Sequence, residues 1–284
     1  MPSLTVGQEN SGDIKLYYED HGTGQPVVLI HGFPLSGRSW EKQTSALLSA
    51  GYRVIAYDRR GFGWSSQPTF GYDYDTFVAD LHQLITQLDL RNVVLVGMSM
   101  GGGEVVHYLG THGSERVSKA VIISGVPPYL LKTSDNPEGV DKSVFDDTAA
   151  AIATDRPAFL TTFFANFYNT DMLLGALISK EVVRDSWNVA AAASPVGTLA
   201  CPHTWTTDFR RDCARVDVPT LIIHGNQDRI CPFSASGQRT HQFIKGSQLV
   251  VLDGAPHGLL WTHAEQVNQA LVDFLGQSAQ ARAA

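Results

Sequence analysis

The chain has 284 residues, 43% of them hydrophobic, and a formal net charge of −7. This length and composition suit one large α/β domain or two small ones with a sizeable core, and the acidic balance argues against a nucleic-acid partner, which would need a basic face. No apolar run reaches the length of a membrane span, the first residues lack a signal-peptide pattern, and the three cysteines show neither metal-binding nor disulfide-framework spacing.

Strands and helices alternate through the first 125 residues. Strands are predicted for short stretches rich in apolar residues, at 14–20, 26–30, 52–57, 93–96 and 117–123. Helices are predicted between them, at 39–49, 75–88 and 104–112. Because the strands read as continuous apolar runs and helical patterns separate them, we predict an α/β fold with a mostly parallel, doubly wound sheet.

The alternation stops after the fifth strand. From Val126 to about Asp212 the composition is helical and contains no buried strand run. We interpret residues 126–212 as a helical cap inserted between two parts of the α/β core, 1–125 and 213–284. The cap is unusually rich in aromatic residues, which are Tyr129, Phe145, Phe159, Phe163, Phe164, Phe167, Trp187 and Trp205. Most should form the cap's own core, and two or three should line a ligand cavity.

The sheet pattern resumes after the cap. Buried strands are predicted at 219–225 and 248–252, and an amphipathic helix at 264–275. We expect the remaining tail, 277–284, to fray.

One turn organises the chain chemically. Gly97-Met-Ser99-Met-Gly101 joins a buried strand to a helical pattern, with the serine at its apex. Glycines leave room for the strained backbone that such a turn requires, and the N–H groups that follow it open a helix, where negative charge is favoured. We therefore predict that Ser99 is a nucleophile at the end of a strand, with its Oγ projecting out of the turn.

A serine nucleophile needs a base, and the base needs a group that orients it. Asp228 follows the strand at 219–225, and His257 follows the strand at 248–252, so both fall at the carboxyl edge of a parallel sheet, where working residues collect. Asp253 is a rival acid. The other histidines compete less well, because none follows the last strand between glycines as His257 does.

Four segments carry a resemblance to a known family: His31–Ser36, Asp58–Gly63, Gly97–Glu104 and Gly254–Gly258. Together they resemble the cofactor-free bacterial haloperoxidases, serine hydrolases of the α/β-hydrolase fold that are also described as perhydrolases and aryl esterases. The similarity covers residues 20–275 and is weakest in the cap.

The resemblance implies a role for each matching position. Ser99 matches the nucleophile, Asp228 the acid and His257 the base, while the backbone N–H groups of Phe33 and Met100 match the oxyanion hole. The family uses no metal and no other cofactor, and we expect none here. Relatives with an aspartate at the turn, the dehalogenases and epoxide hydrolases, work by a different covalent intermediate, which Ser99 disfavours.

Four residues are candidates for the substrate pocket, namely Pro34, Trp64, Trp205 and Ile230. The two tryptophans are expected to narrow it. Proline at position 34 fixes its own φ and restricts Phe33 before it, and in families of this type it accompanies perhydrolysis. The alternative is that Pro34 only stiffens the loop.

The sequence thus predicts an esterase that forms an acyl-enzyme on small carboxylic esters, with perhydrolase or haloperoxidase-type activity when hydrogen peroxide accepts the acyl group. A lactonase or γ-lactamase would use the same residues, and a small-molecule receptor on a hydrolase fold is an alternative of another class. We expect a cytoplasmic protein whose partner is a small ester or acid, with neither membrane nor nucleic acid involved. Whether it forms a homo-oligomer stays open.

Overall fold

Eight strands form a single sheet at the centre of the molecule. A computed structural model describes residues 1–277, so the rest of the tail that we expect to fray lies outside the described residues. The strands are β1 Ser3–Glu9, β2 Gly12–His21, β3 Pro26–Ile30, β4 Arg53–Tyr57, β5 Val93–Met98, β6 Val117–Ile123, β7 Thr220–Gly225 and β8 Gln248–Leu252. They lie in the order β1-β2-β4-β3-β5-β6-β7-β8. Strands β3 to β8 pair in parallel, which confirms the predicted sheet.

The antiparallel edge of the sheet includes a strand that the sequence did not reveal. β1 pairs antiparallel with β2, and β2 pairs antiparallel with β4. β1 contains only two large apolar residues, Leu4 and Val6, so it has no continuous apolar run. Its extended conformation depends on pairing with β2, which a local pattern does not encode.

The described residues form one short 3-10 helix, Gly37–Trp40, and eleven α-helices. The α-helices are α1 Glu41–Ser49, α2 Tyr74–Gln87, α3 Met100–His112, α4 Lys142–Phe167, α5 Thr170–Leu173, α6 Lys180–Ala191, α7 Pro195–Thr204, α8 Arg210–Cys213, α9 Gly237–Phe243, α10 Leu259–Thr262 and α11 Ala264–Gly276. α3 begins four residues before the predicted position, because its glycine-rich first turn has low intrinsic helix propensity and is stabilised by packing against the sheet.

Helices α4 to α8 lie between β6 and β7, in the segment interpreted as a cap. The longest of them, α4, bends at Asp155, which has φ −154° and ψ 85° and stands two residues before Pro157. Contacts with α6 fix the bend: the Arg156 guanidinium donates to the carbonyl of Ala191 at 3.1 Å, and the Trp187 indole donates to the carbonyl of Pro157 at 3.3 Å.

The sheet positions the loops that carry the predicted site residues. β5 and β7 are buried along their whole length, as their apolar sequences predict. Because β5, β7 and β8 run parallel, the loops that follow them leave from the same edge. No helix within residues 1–277 is both long and apolar enough to cross a bilayer.

Candidate active site

The turn after β5 places Ser99 at the start of α3. Ser99 has φ 55° and ψ −119°, a conformation that non-glycine residues rarely adopt. Its own N–H donates to the carbonyl of Ile123 at 2.9 Å, which ties the turn to β6. Gly101 passes so close to β3 that a Cβ on it would lie 2.2 Å from the carbonyl oxygen of Ile30. The predicted strained serine turn is therefore present.

Asp228 and His257 meet beneath this edge of the sheet. Nδ1 of His257 lies 2.7 Å from Oδ2 of Asp228, and both side chains are fully buried. An ionised carboxylate only accepts hydrogen bonds, so Nδ1 carries the proton and Nε2 is the basic nitrogen. That Nε2 is buried and has no hydrogen-bond partner among the described residues.

The surroundings of Asp228 keep it ionised. Its Oδ1 accepts the backbone N–H groups of Ile230 at 2.9 Å and Cys231 at 2.8 Å. Burial by itself would raise the pKa of Asp228, but the charge interaction with His257 and hydrogen bonds from His224 and His257 outweigh it and hold the pKa below its ordinary range. Asp228 is thus a permanent negative charge behind the imidazole near neutral pH.

The rival acid lies elsewhere. Asp253 is exposed, and its Oδ1 accepts a hydrogen bond from the Asn226 side chain at 2.8 Å. None of its hydrogen bonds within the described chain goes to His257. Within residues 1–277, no cluster of three or more His, Cys, Asp or Glu side chains is arranged to bind a metal ion.

Two backbone N–H groups are available near Ser99. The N–H of Phe33 makes no hydrogen bond within residues 1–277. Its loop lies against the serine, since a Cβ on Gly32 would come within 2.8 Å of the Ser99 Cβ. Met100 is the first residue of α3, and the first N–H groups of a helix have no partner inside it. Both groups suit an anion that forms on a substrate at Ser99.

A buried polar network supports the Phe33 loop, and sequence reasoning did not find it. The Arg59 guanidinium donates to Oε2 of Glu104 at 2.8 Å and to the carbonyl of His31 at 3.0 Å. The Tyr57 hydroxyl donates to the other oxygen of Glu104. Because Glu104 stands on α3, the network joins the serine helix to the loop after β3. Its only signal in the sequence is a charged residue in an otherwise apolar, glycine-rich helix.

His31 binds two backbone groups beside the Phe33 loop. Its Nε2 accepts the backbone N–H of Arg59 at 3.0 Å, and its Nδ1 lies 2.9 Å from the carbonyl of Gly32, to which it donates. Burial and the Arg59 charge lower the pKa of His31 well below its ordinary value, so the ring is neutral.

An apolar cavity of about 420 Å³ extends from Ser99 toward the segment interpreted as a cap. Four cap aromatics line it, where two or three were expected: Phe145, Phe159, Phe163 and Trp205. Ile230 and Cys231 form the wall nearest the acid loop. Cys231 lines the cavity together with Ser99, and burial raises the pKa of its thiol well above the ordinary value. The thiol is therefore protonated.

Two of the four pocket candidates, Trp205 and Ile230, line this cavity, but Trp64 does not. That prediction was wrong, because the loop after β4 turns toward β2. The Trp64 ring packs edge-on against Tyr17 with centroids 4.7 Å apart and is 57% exposed, in a separate shallow cleft. Pro34 is buried behind Phe33 and is not part of the cavity wall.

Comparisons with known proteins agree with this architecture. A sequence model of the α/β hydrolase fold matches residues 25–264. A protein of Synechocystis sp. whose name contains "non-heme chloroperoxidase" is 64% identical over 275 residues, covering 97% of this chain and all of the relative. A bifunctional esterase/perhydrolase of Acinetobacter calcoaceticus is 36% identical, covering 92% of this chain and 96% of its own. The crystal structure of a bromoperoxidase from Bacillus anthracis superimposes with a TM-score of 0.94 at 51% identity, covering 97% of this chain and 99% of that one.

Proposed function

Because the chain belongs to the α/β-hydrolase family, we propose that it is a serine esterase that acts on small carboxylic esters and becomes a perhydrolase when hydrogen peroxide accepts the acyl group. Ser99 is the nucleophile, His257 the general base and Asp228 the acid that orients the base. The N–H groups of Phe33 and Met100 form the oxyanion hole.

The first half of the reaction forms an acyl-enzyme. Oγ of Ser99 attacks the ester carbonyl carbon while its proton passes to Nε2 of His257, and the carbonyl oxygen becomes an oxyanion held by the N–H groups of Phe33 and Met100. The tetrahedral intermediate then collapses. The bond to the alcohol oxygen breaks, and the alcohol leaves with the proton from His257.

The second half transfers the acyl group to water or hydrogen peroxide. The acceptor loses a proton to His257 as its oxygen attacks the acyl carbon, and Oγ of Ser99 leaves and takes that proton back. Water gives a carboxylic acid, and peroxide gives a peracid. A peracid that diffuses out oxidises bromide to hypobromous acid, with the peracid reduced to the carboxylic acid, so haloperoxidase-type activity needs no redox centre in the protein.

The protonation pattern of His257 supports the proposal most strongly. Asp228 accepts its Nδ1 proton at 2.7 Å, and the basic Nε2 is buried with no partner among the described residues. Leaving a buried hydrogen-bond acceptor without a donor destabilises the folded protein, so such an acceptor often has a catalytic role. Accepting the proton of a serine hydroxyl is the role that fits its position at this edge of the sheet. The esterase/perhydrolase and haloperoxidase names of the relatives agree with it.

Replacing Ser99 by alanine tests the proposal, because only the nucleophilic oxygen is lost. We expect kcat for an aryl acetate to fall by about 10⁴-fold or more, with the thermal unfolding temperature nearly unchanged. Ser124→Ala is the matched control: Ser124 is also buried at the end of a neighbouring strand, and its Oγ has no partner within residues 1–277. It should keep wild-type turnover.

The assay panel should contain aryl esters, lactones and lactams, each with and without hydrogen peroxide. Ester hydrolysis and peracid formation that both disappear in Ser99→Ala would support one site for both activities. Retention of a tenth of the wild-type activity in that variant would remove Ser99 from the mechanism.

A further inference from the structure

A second buried histidine touches the proposed acid. His224 lies on β7, four residues before Asp228, and is fully buried. Its Nε2 is 2.8 Å from the carbonyl oxygen of Cys231 and 3.3 Å from Oδ2 of Asp228. A carbonyl oxygen only accepts, so Nε2 carries a proton. That N–H donates to the carbonyl oxygen, and it brings a partial positive charge close to the Asp228 carboxylate.

The other nitrogen of His224 shows that the ring acts as a neutral donor. Nδ1 is buried and has no partner among the described residues. The Phe233 ring lies 5.6 Å away, centroid to centroid, and the Gly237 backbone is so close that a Cβ there would be 2.5 Å from Nδ1. A second proton on Nδ1 would be buried without an acceptor, which is unfavourable.

Building on the proposed function, we propose that His224 is a positioning residue for the reaction. Its Nε2–H fixes Asp228 and the loop 228–231 against the end of β7, and it weakens the attraction of the Asp228 carboxylate for the proton on His257.

The positioning part follows from where the hydrogen bonds go. Oδ1 of Asp228 is fixed by the N–H groups of Ile230 and Cys231, which belong to its own loop. Among residues 1–277, only the hydrogen bond from His224 to the Cys231 carbonyl ties that loop to β7 through a side chain. Without it, the carboxylate could move together with its loop while keeping both backbone bonds.

The electrostatic part follows from sharing one oxygen. Oδ2 of Asp228 accepts from His257 at 2.7 Å and lies 3.3 Å from Nε2 of His224. A second donor stabilises the anion and so reduces its pull on the His257 proton. The other titratable side chain that faces this carboxylate in the described chain is the Cys231 thiol, which is protonated, whereas Arg229 turns away to pair with Asp171 at 2.8 Å. His224 is therefore the group on β7 that sets the basicity of the pair.

Two variants separate the donor from the ring. His224→Gln keeps an N–H donor, because the glutamine Nε2 is as many bonds from Cβ as the histidine Nε2. His224→Phe keeps a ring but loses both nitrogens. For the Phe variant we expect kcat for an aryl acetate to fall about 10- to 100-fold with KM nearly unchanged, as for the loss of a hydrogen bond to a charged group. The acid limb of kcat/KM should move to higher pH, because Asp228 would then hold the proton on His257 more tightly.

His224→Gln should restore most of kcat and the wild-type acid limb. Unchanged kinetics in a folded Phe variant would overturn the proposal. Equal losses in both variants would overturn it too, because an N–H donor at this position would then make no difference to kcat. If the Phe variant does not fold, His224→Leu carries the same comparison.

Proton NMR of ¹⁵N-histidine-labelled protein gives a readout that needs no turnover. The buried N–H groups of His224 and His257 should give two downfield signals; the Gln and Phe variants should each lose one, and in the Phe variant the remaining His257 signal should move further downfield. An unmoved His257 signal would refute the coupling. Absence of esterase activity in the wild-type protein, with the NMR coupling present, would instead refute the proposed function alone.

Discussion

Both oxygens of the Asp228 carboxylate are hydrogen-bonded inside the protein. Its two oxygens accept three hydrogen bonds, two from backbone N–H groups and one from His257, and Nε2 of His224 lies 3.3 Å from Oδ2. A buried charge is tolerated only when it is satisfied in this way. Its partner His257 is in turn covered by the Phe167 ring, edge-on with centroids 5.0 Å apart, so water has little access to the pair.

The first prediction at this scale separates the two acids. Asp228→Asn should lower kcat by about 10³–10⁴-fold, because an amide can present N–H to Nδ1 of His257 and favour the wrong tautomer, as known for serine proteases. Asp253→Asn should leave kcat within about twofold, because an exposed side chain that pairs with Asn226 lies outside the network. Steady-state kinetics on one aryl ester compares them, and a larger loss at Asp253 would mean that the acid has been assigned wrongly.

The second prediction concerns Pro34. Pro34→Leu should depress peracid formation at least about tenfold more than the hydrolysis of p-nitrophenyl acetate. The reason is that proline restricts the backbone beside the Phe33 N–H. A backbone carbonyl next to the oxyanion hole is thereby directed toward the hydroxyl of an incoming peroxide or acid. Both rates are measured on the same preparation, peracid by bromide oxidation. Equal losses would leave Pro34 with a purely structural role.

Residue patterns predicted the serine turn and the Asp228–His257 contact, because each depends on position relative to a strand end. They failed for Trp64, since the direction of the loop after β4 is decided by its packing on Tyr17, far away in sequence. They also missed His224 as a partner of Asp228. A histidine at the end of a buried strand looks like a core residue until the loop that follows folds back onto it.

At the scale of elements, the buried ion pair of Arg59 and Glu104 connects three pieces of the fold. Glu104 belongs to α3, Arg59 to the loop after β4, and the carbonyl of His31 to the loop after β3. The pair therefore controls the distance between the two proposed oxyanion donors, one on α3 and one on the loop. The side chains are 1% and 0% exposed, so neither charge can be relieved by water.

Removing one partner of this pair should cost far more than removing one of an outer pair. Glu104→Leu should lower the free energy of unfolding by about 3–5 kcal/mol, because it leaves the Arg59 charge buried and uncompensated. The matched control is Asp20→Leu, which breaks the partly exposed Arg53–Asp20 pair at the sheet edge and should cost about 1 kcal/mol or less. Urea unfolding gives both values. Similar losses would show that the Arg59 site is hydrated.

The elements themselves were predictable to different degrees. Strands β3 to β8 and helices α2 and α11 follow from apolar runs and helical periodicity, within a few residues. β1 and the first turn of α3 do not, because pairing with a neighbouring strand and packing on the sheet override weak local preferences.

At the scale of the whole molecule, reacting groups and cavity walls come from different regions. The sheet edge supplies Ser99, Asp228 and His257, whereas most of the cavity wall belongs to residues 126–166 and Trp205. A cavity of about 420 Å³ with mostly apolar walls is within the size range of binding sites for drug-sized ligands and far exceeds an acetyl group. Esters with larger apolar groups should therefore fit.

Filling the cavity should change which acyl groups are accepted. Ala151 lines the cavity from α4, and Ala151→Trp should lower kcat/KM for an octanoate ester at least about tenfold, while the value for the acetate ester changes little. Ala150→Trp is the control, since Ala150 is the preceding residue on the same helix and is not part of the wall. A parallel loss in both variants, or on both esters, would contradict this use of the cavity.

The bend in α4 gives the cavity a property that no single side chain explains. Residues before Asp155, such as Phe145 and Ala151, form one wall, and residues after it, such as Phe159 and Phe163, form another. The distance between these two walls therefore depends on the angle at which α4 bends at Asp155. Arg156 and Trp187 make the hydrogen bonds that hold this bend. Replacing either would change the width of the cavity without changing the residues that line it. Selectivity for the thickness of a substrate can therefore evolve separately from selectivity for its chemistry.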